Sequence, residues 1–325
     1  FTELYEKAQE GNSFSFLYNV ITSRENILLA YRTIKSNKGS NTPGTDGKTI
    51  LDIKELSEDE LVLKVRTILK SYQPKKVRRK WIEKDNGKRR PLGIPCILDR
   101  IIQQSFKQVL EPIAEARFYK HSYGFRPLRS AHHAMARIHS LINQASFHFV
   151  VDIDIKSFFD NVNHTRLMKQ LWNLGIQDRK VLACISKMIK AEIDGEGIPN
   201  KGTPQGGILS PLLSNIVLND LDQWIADQWE FFPLHKSYKS KVGERYAKKR
   251  TSLKEGYLVR YADDFKILCR DGKTAQKWYH AVRLYLKERL NLDISPEKSK
   301  ILNLRKRESE FLGFTIRANK KGKKR

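Results

Sequence analysis

Residues 260–265 read Arg-Tyr-Ala-Asp-Asp-Phe, two adjacent carboxylates inside an apolar run that extends from Tyr257 to Cys269. A carboxylate taken out of water is costly unless it is paired, hydrogen-bonded or bound to a metal, so a positive partner is expected nearby. In a straight strand adjacent side chains point to opposite faces, and Asp263 and Asp264 could not serve one site. A turn removes that difficulty. Tyr257-Leu258-Val259 before the pair and Phe265-Lys266-Ile267-Leu268 after it are both strand-like, which predicts a hairpin with the acids at its tip. On this stretch alone a plain polar turn, where Asp is common, and a metal site both stand open.

A second acidic strand lies upstream, in "FHFVVDIDIKSFFDNVNH" (147–164). Alternation puts Phe147, Phe149, Val151, Ile153 and Ile155 on one face and His148, Val150, Asp152 and Asp154 on the other. Two such strands could bring Asp154, Asp263 and Asp264 around a pair of divalent ions, the clamp used for in-line displacement at phosphorus. Oxygen ligands favour Mg²⁺, which takes one or two protein carboxylates together with substrate phosphates.

The partner class follows from charge. With 61 Lys and Arg against 36 Asp and Glu the chain carries a formal +25, and its pI is near 9.9. That balance suits a polyanion such as nucleic acid, with a lipid surface as the weaker alternative. The 325 residues, 40% of them hydrophobic, can build a substantial core and predict at least two subdomains. No apolar run approaches the roughly 18 residues that span a bilayer, and the N-terminus has no signal-peptide pattern, so a cytoplasmic protein with no membrane partner is expected. Cys96, Cys184 and Cys269 form no paired motif, which argues against a disulfide framework or a zinc site. A chain beginning at Phe1 and ending in "KKGKKR" reads as a piece of a longer one.

Along the chain, Ile27, Leu28, Tyr31 and Ile34 recur at helix spacing, and Ser57 with Glu60 forms a capping box for a helix carrying Leu61, Val65, Ile68 and Leu69. Residues 77–94 change to strand–turn–strand around Asn86-Gly87. That hairpin is densely basic: residues 75–90 hold nine Lys and Arg against Glu83 and Asp85, which favours phosphate contact. Helical patterns follow at about 97–117 and 130–143, and "KGTPQGGILSPLL" reads as a Gly-rich loop entering a helix with Ser210 as N-cap and Pro211 at its first position. The loop lacks a P-loop pattern. Residues 236–254 hold eight Lys and Arg against Glu244, with Tyr238 and Tyr246 among them, and read as an inserted basic loop. A helix over about 274–290 and the strand-like "FLGFTI" complete an α+β pattern.

Six segments in order, "GKRRPLGIP" (87–95), "SYGFRP" (122–127), "DIKSFFDNVNH" (154–164), "GTPQGGILSPLLSNI" (202–216), "YADD" (261–264) and "FLGF" (311–314), resemble the reverse transcriptase domain of group II intron-encoded maturases. The resemblance covers nearly the whole chain. It implies an α+β right-hand polymerase with fingers and palm, the antiparallel palm sheet packed on helices. The corresponding boundaries are a helical N-terminal extension at 1–72, fingers at 73–100 and 163–209, and palm at 101–162 and 210–325 with a basic insertion near 230–256. The thumb and later domains of the family are expected to lie beyond this chain, which implies weak activity for this piece.

Site roles follow by resemblance. Asp154, Asp263 and Asp264 match the three catalytic aspartates, with the Ile155 carbonyl a further metal ligand for two Mg²⁺ ions, Mn²⁺ being an acceptable substitute. Asp152 lies outside the family motif and reads as a hydrogen-bonded structural acid. Phe159 matches the aromatic gate beneath the incoming sugar that excludes a 2′-hydroxyl, while Phe158 takes the core position. Lys84 and Arg90 match the fingertip residues that hold the triphosphate. Gln205 matches a glutamine at the nucleotide site, with Gly206 and Gly207 permitting close backbone approach, and Lys298 is placed facing the site. Phe311, Leu312, Gly313 and Phe314 resemble the strand that positions the primer end. The basic runs supply RNA-binding candidates: Lys75, Lys76, Arg78, Arg79, Lys241, Arg245, Lys248, Lys249 and Arg250. The implied partners are group II intron RNA, template RNA, a DNA primer and dNTPs, in a bacterial cytoplasm. A splicing-only RNA-binding maturase and a retron- or defence-type bacterial reverse transcriptase are the alternatives.

Overall fold

The computed structural model describes residues 1–318 except 84–86, 88, 235, 249, 251 and 254. Its helices, in chain order, are α1 (Thr2–Gln9), α2 (Leu17–Ile21), α3 (Arg24–Lys35), α4 (Ile50–Lys54), α5 (Glu58–Lys70), α6 (Ile97–Glu115), α7 (Ala131–His139), α8 (Phe158–Asn161), α9 (His164–Asn173), α10 (Arg179–Ile189), α11 (Ser210–Gln228), α12 (Lys241–Lys248) and α13 (Gly272–Tyr285). The strands are β1 (Arg78–Glu83), β2 (Arg89–Ile94), β3 (Phe149–Ile153), β4 (Gly256–Tyr261), β5 (Asp264–Cys269), β6 (Lys300–Asn303), β7 (Ser309–Phe311) and β8 (Phe314–Ile316). They group into two compact units, Phe1–Arg117 with Phe159–Ile216, and Phe118–Phe158 with Val217–Arg325.

The first unit is organised by α6, whose Ile101, Ile102, Phe106, Val109, Leu110 and Ile113 are fully buried. A helix apolar on so many sides needs cover on several of them, and α1, α2 and α3 pack against it. Residues 1–72 therefore share one unit with α6, a grouping that differs from the boundaries drawn on the sequence. At the start of α5, Ser57 accepts from the Glu60 amide at 3.3 Å while Glu60 accepts from the Ser57 amide at 2.8 Å. The capping box thus satisfies two amide donors of the helix end. The basic hairpin forms as the sequence predicts, β1 antiparallel to β2 with Glu83 opposite Arg89. Its expected turn residue Asn86, and Lys84 beside it, lie outside the described residues.

The second unit is built on an antiparallel sheet of order β4-β5-β3-β6. Helix α13 covers one face, touching all four of its strands. On the other face Val150, Val259 and Leu268 join Ala134 and Ile138 of α7 and Phe311 and Ile316 of the small β7–β8 hairpin in one core. Period-2 alternation fixes this two-sidedness, since β3 and β5 both carry apolar residues at successive positions. Three local expectations change. Residues 311–314 form a two-residue hairpin turn, Leu312 at φ 54° and Gly313 at φ 80°, in place of a single strand. The basic insertion contains helix α12, because Glu, Arg, Ala and Lys supply helix propensity. Ser210 is the first residue of α11, and its hydroxyl donates to the Pro204 carbonyl at 2.8 Å, bracing the Gly-rich loop. Among the described residues no helix is long and apolar enough to cross a membrane, and the three cysteines are free and buried.

Candidate active site

The site begins with the register of β4 on β5. Tyr261 pairs with Asp264, which leaves Ala262 and Asp263 as a two-residue turn, with Ala262 left-handed at φ 57°. Tight turns that match strand twist require positive φ, a conformation that costs a residue with a side chain more than glycine. Asp264 is the first residue of β5 and shares a face with Lys266; Lys266 pairs across the sheet with Asp152 of β3, and Asp154 follows two residues later. Alternation thus puts Asp152, Asp154 and Asp264 on one side, and the turn brings Asp263 to it. All four line one open cavity of ≈ 650 Å³.

Charge balance in this cavity is uneven. Asp152 binds Lys266 at 2.8 Å and also accepts from the Ser309 hydroxyl at 3.4 Å. Asp152 is therefore held by an ion pair and a hydrogen bond. Lys266 is only 1% exposed, so its ammonium needs the acid it pairs with on β3. Burial pushes the Asp264 carboxyl up to about 6; Lys266 opposes the shift, and the charges of Asp152, Asp263 and Asp154 add to it. Lys298 lies 3.5 Å from Asp154 with its side chain 61% exposed, so it faces the site and remains solvated. Below Asp154, its amide donates to the Ser299 hydroxyl at 3.1 Å and its carbonyl accepts from the Ser295 amide at 2.8 Å. Ile155 is buried and bridges to Ile294.

Among the described residues no group of three or more His, Cys, Asp or Glu is already gathered as a ligand shell. The donor set still fits a hard divalent cation: its atoms are carboxylate oxygens, they face an open cavity, and Mg²⁺ takes only one or two carboxylates with water or phosphate oxygens completing the shell. The same cavity is lined by Phe311, Leu312 and Gly313 of the β7–β8 turn. The second unit thus brings together Asp154, Asp263, Asp264, Lys298 and the 311–313 turn, with Phe314 opening β8 and exposed.

The remaining candidates belong to the first unit. Arg90 sits on β2 opposite Ile82 and is exposed. Phe159 is half-buried beside a buried Phe158, and its carbonyl accepts from the Thr203 amide at 2.7 Å. The Gln205 carbonyl accepts from Gly93 of β2 at 2.6 Å. Gly206, at φ 107°, runs so close to β2 that a Cβ there would stand 2.5 Å from the Gly93 carbonyl oxygen. The glycine is needed for that approach. Several RNA-binding candidates are already engaged: Lys75 with Asp46 at 3.1 Å, Lys76 with Glu192 at 2.8 Å, and Arg79 with both oxygens of Glu196 at 2.7 and 2.6 Å. Arg78 opens β1 and is half-buried. In the second unit, Arg245 pairs with Glu255 at 3.2 Å and Lys248 donates to the Glu230 carbonyl at 3.1 Å, while Lys241 and Arg250 are exposed. Lys84 and Lys249 lie outside the described residues.

Lys266 and Arg260 read in the sequence only as strand residues, although both are charges inside an apolar run whose neighbours are buried. That is the signal by which they could have been found. A buried cation beside a buried acid calls for a partner as strongly as the acid does.

Residues 82–316 match the family described as reverse transcriptase (RNA-dependent DNA polymerase). The chain is 35% identical over 301 residues to Protein YkfC of Escherichia coli K12, covering 88% of this chain and 78% of that one. To the group II intron-encoded protein LtrA of Lactococcus lactis subsp. cremoris it is 34% identical over 353 residues, covering 95% of this chain and 58% of that protein. Among solved structures, apo telomerase from Candida tropicalis aligns with a TM-score of 0.55 at 14% identity, over 83% of this chain and 52% of that one. At that identity the likeness speaks for the fold alone, the mixed α+β fold of polymerase fingers and palm.

Proposed function

This chain belongs to the reverse transcriptase family, the RNA-dependent DNA polymerases, and we propose that it copies template RNA from a DNA primer by nucleotidyl transfer at the Asp154–Asp263–Asp264 cavity. The observation that carries the reading is the placement of those three carboxylates on one cavity of the β4-β5-β3-β6 sheet. Two Mg²⁺ ions, with Mn²⁺ as a substitute, would be held by Asp154, Asp263, Asp264 and the Ile155 carbonyl, and when bound they supply Lewis-acid polarisation of the phosphoryl oxygens. The chain's own residues do the rest of the positioning. Asp264, pushed up to about 6, has to be deprotonated to take that role. Lys298 is placed to meet negative charge beside Asp154. The turn at Phe311, Leu312 and Gly313 borders the cavity where a primer end would lie, and Phe314 follows it at the start of β8. Arg90 and Lys84 are assigned to the triphosphate, Gln205 to the nucleotide, and Phe159 to exclusion of a 2′-hydroxyl.

The family implies nucleic-acid binding, and the maturase-like relatives support group II intron RNA as the particular partner, bound through Lys75, Lys76, Arg78, Arg79, Lys241, Arg245, Lys248, Lys249 and Arg250, with splicing assistance and retrohoming as the setting. A bacterial cytoplasmic location goes with that setting. Asp154, Asp263 and Asp264 are all present, which disfavours a splicing-only role. Extension of oligo(dT) on poly(rA) with dTTP, with and without Mg²⁺, tests the reading. Metal-dependent extension is the expected result; none at any Mg²⁺ or Mn²⁺ concentration would overturn it.

A further inference from the structure

On the face of the sheet opposite the cavity lies a second charged pair. Arg260 and Asp222 are both 0% exposed. The guanidinium Nε donates to Asp222 at 2.8 and 2.9 Å and Nη2 donates at 2.6 Å, a bidentate clasp between β4 and α11. Its Nη1 donates at 2.7 Å to the carbonyl of Ala262, the left-handed residue beside Asp263. A buried ion pair is weak evidence for stability, because apolar residues of similar volume often serve as well or better. What apolar residues cannot supply is a donor to the Ala262 carbonyl.

Other contacts converge on the same turn. The Tyr123 amide donates to the Arg260 carbonyl at 2.8 Å and the Arg260 amide donates to the His121 carbonyl at 3.1 Å. Gly124 packs so tightly that a Cβ there would be 2.3 Å from the Ala262 nitrogen. Segment 119–124 is in turn tied to α11, where Asn219 accepts from the Tyr119 amide at 3.0 Å. Backbone held in a sparsely populated region persists when its surroundings over-determine it.

We propose that Arg260, oriented by Asp222, is a positioning residue that fixes the Ala262–Asp263 turn and so sets where Asp263 and Asp264 present their carboxylates to metal. The proposal rests on the polymerase reading above. It assigns Arg260 no contact with substrate.

The test is a double variant, Arg260→Met with Asp222→Leu, which removes both members of the pair together, although buried Arg126, whose charge also acts on Asp222, then loses that carboxylate. It is expected to melt cooperatively at the parent's temperature and to bind RNA as the parent does. Its affinity for Mn²⁺, read by electron paramagnetic resonance of the free ion with primer–template present, should fall by about tenfold, within the range seen when outer partners of metal ligands are lost. Primer extension should fall by about 100-fold, the scale of a misplacement of about 1 Å. A double variant that folds and keeps the parent's Mn²⁺ affinity and extension rate would overturn the proposal. If it fails to melt cooperatively, Arg260→Lys decides: it keeps the charge opposite Asp222 and loses the fork, and parent-like Mn²⁺ affinity there overturns the proposal equally. A parent chain that neither extends primers nor binds Mn²⁺ overturns the polymerase reading along with this one, and so is told apart from failure of the positioning role alone.

Discussion

Hairpin β1–β2 leaves Lys80 through Glu83 exposed along one strand, whereas β4–β5 is buried along nearly all of both strands. Both are antiparallel, and both carry charge at or near their tips. The acidic hairpin turns in two residues, with Arg260 bonded to the Ala262 carbonyl and Gly124 packed against the Ala262 backbone. The difference follows from what each charge is suited to meet. A phosphate chain is extended, hydrated and variable in geometry, so exposed cations on long side chains can follow it. A small divalent ion needs oxygens at fixed separation, so its ligands are best set on rigid, buried backbone.

The largest expected effect breaks the acidic side of that comparison. Asp263→Asn or Asp154→Asn removes a charge from the cavity while nearly keeping shape. Polymerisation should fall by several orders of magnitude, a loss of at least about 3–4 kcal/mol of transition-state stabilisation, while RNA affinity stays at the parent value. A normal extension rate in Asp263→Asn would sink the metal assignment. On the basic side, Arg90→Ala should act through substrate binding: hydrogen bonds to charged groups are worth about 1.5–3 kcal/mol, so KM for the incoming nucleotide should rise about tenfold or more with kcat less affected. An unchanged KM would remove Arg90 from the nucleotide site.

How legible each hairpin was in the sequence follows the same division. The β4–β5 hairpin and the strand with Asp152 and Asp154 could be read because alternation and turn chemistry are local. The partnership of Lys266 with Asp152 could not, since it depends on a cross-sheet register between residues far apart in sequence. Arg260 and Asp222 pair across 38 positions, from a strand to a helix, with nothing local to announce it. The pairing of Arg79 with Glu196 spans 117 positions, so a count of cations along the hairpin does not tell which of them are already paired within the chain. The packing of the N-terminal helices on α6 is equally non-local, a property of that helix's whole circumference that no motif records.

Protonation gives a smaller effect with a definite sign. Burial pushes both Asp264 and Asp99 up to about 6, above the roughly 3.9 of an unfolded Asp. The folded state then binds more protons than the unfolded state between those values, so without divalent metal the stability these groups contribute should rise as pH falls from about 6 toward 4. Asp264→Asn should flatten that rise in urea midpoints measured across the window, leaving the part due to Asp99. Saturating Mg²⁺ should erase the Asp264 part in the parent, because the ion holds the carboxylate deprotonated. A rise of equal size in parent and variant would show that Asp264 does not titrate there.

The smallest effect sharpens the basic hairpin itself. Lys80 and Arg89 are exposed and make no ion pair among the described residues, whereas Arg79 is held by Glu196. If the hairpin meets RNA through its solvent-facing cations, Lys80→Ala and Arg89→Ala should each flatten the slope of log K against log salt by roughly 0.7–0.9, the release of one counterion. Arg79→Ala should change the slope less, because its charge is already answered within the chain. The basic insertion offers the same contrast: Lys241→Ala and Arg250→Ala should move the slope, and Arg245→Ala, paired with Glu255 at 3.2 Å, should move it less. Salt titrations of RNA binding by the six single variants give the ordering. Equal slopes for engaged and solvent-facing cations would mean that RNA opens the intramolecular pairs on binding, and that exposure does not choose which cations meet phosphate.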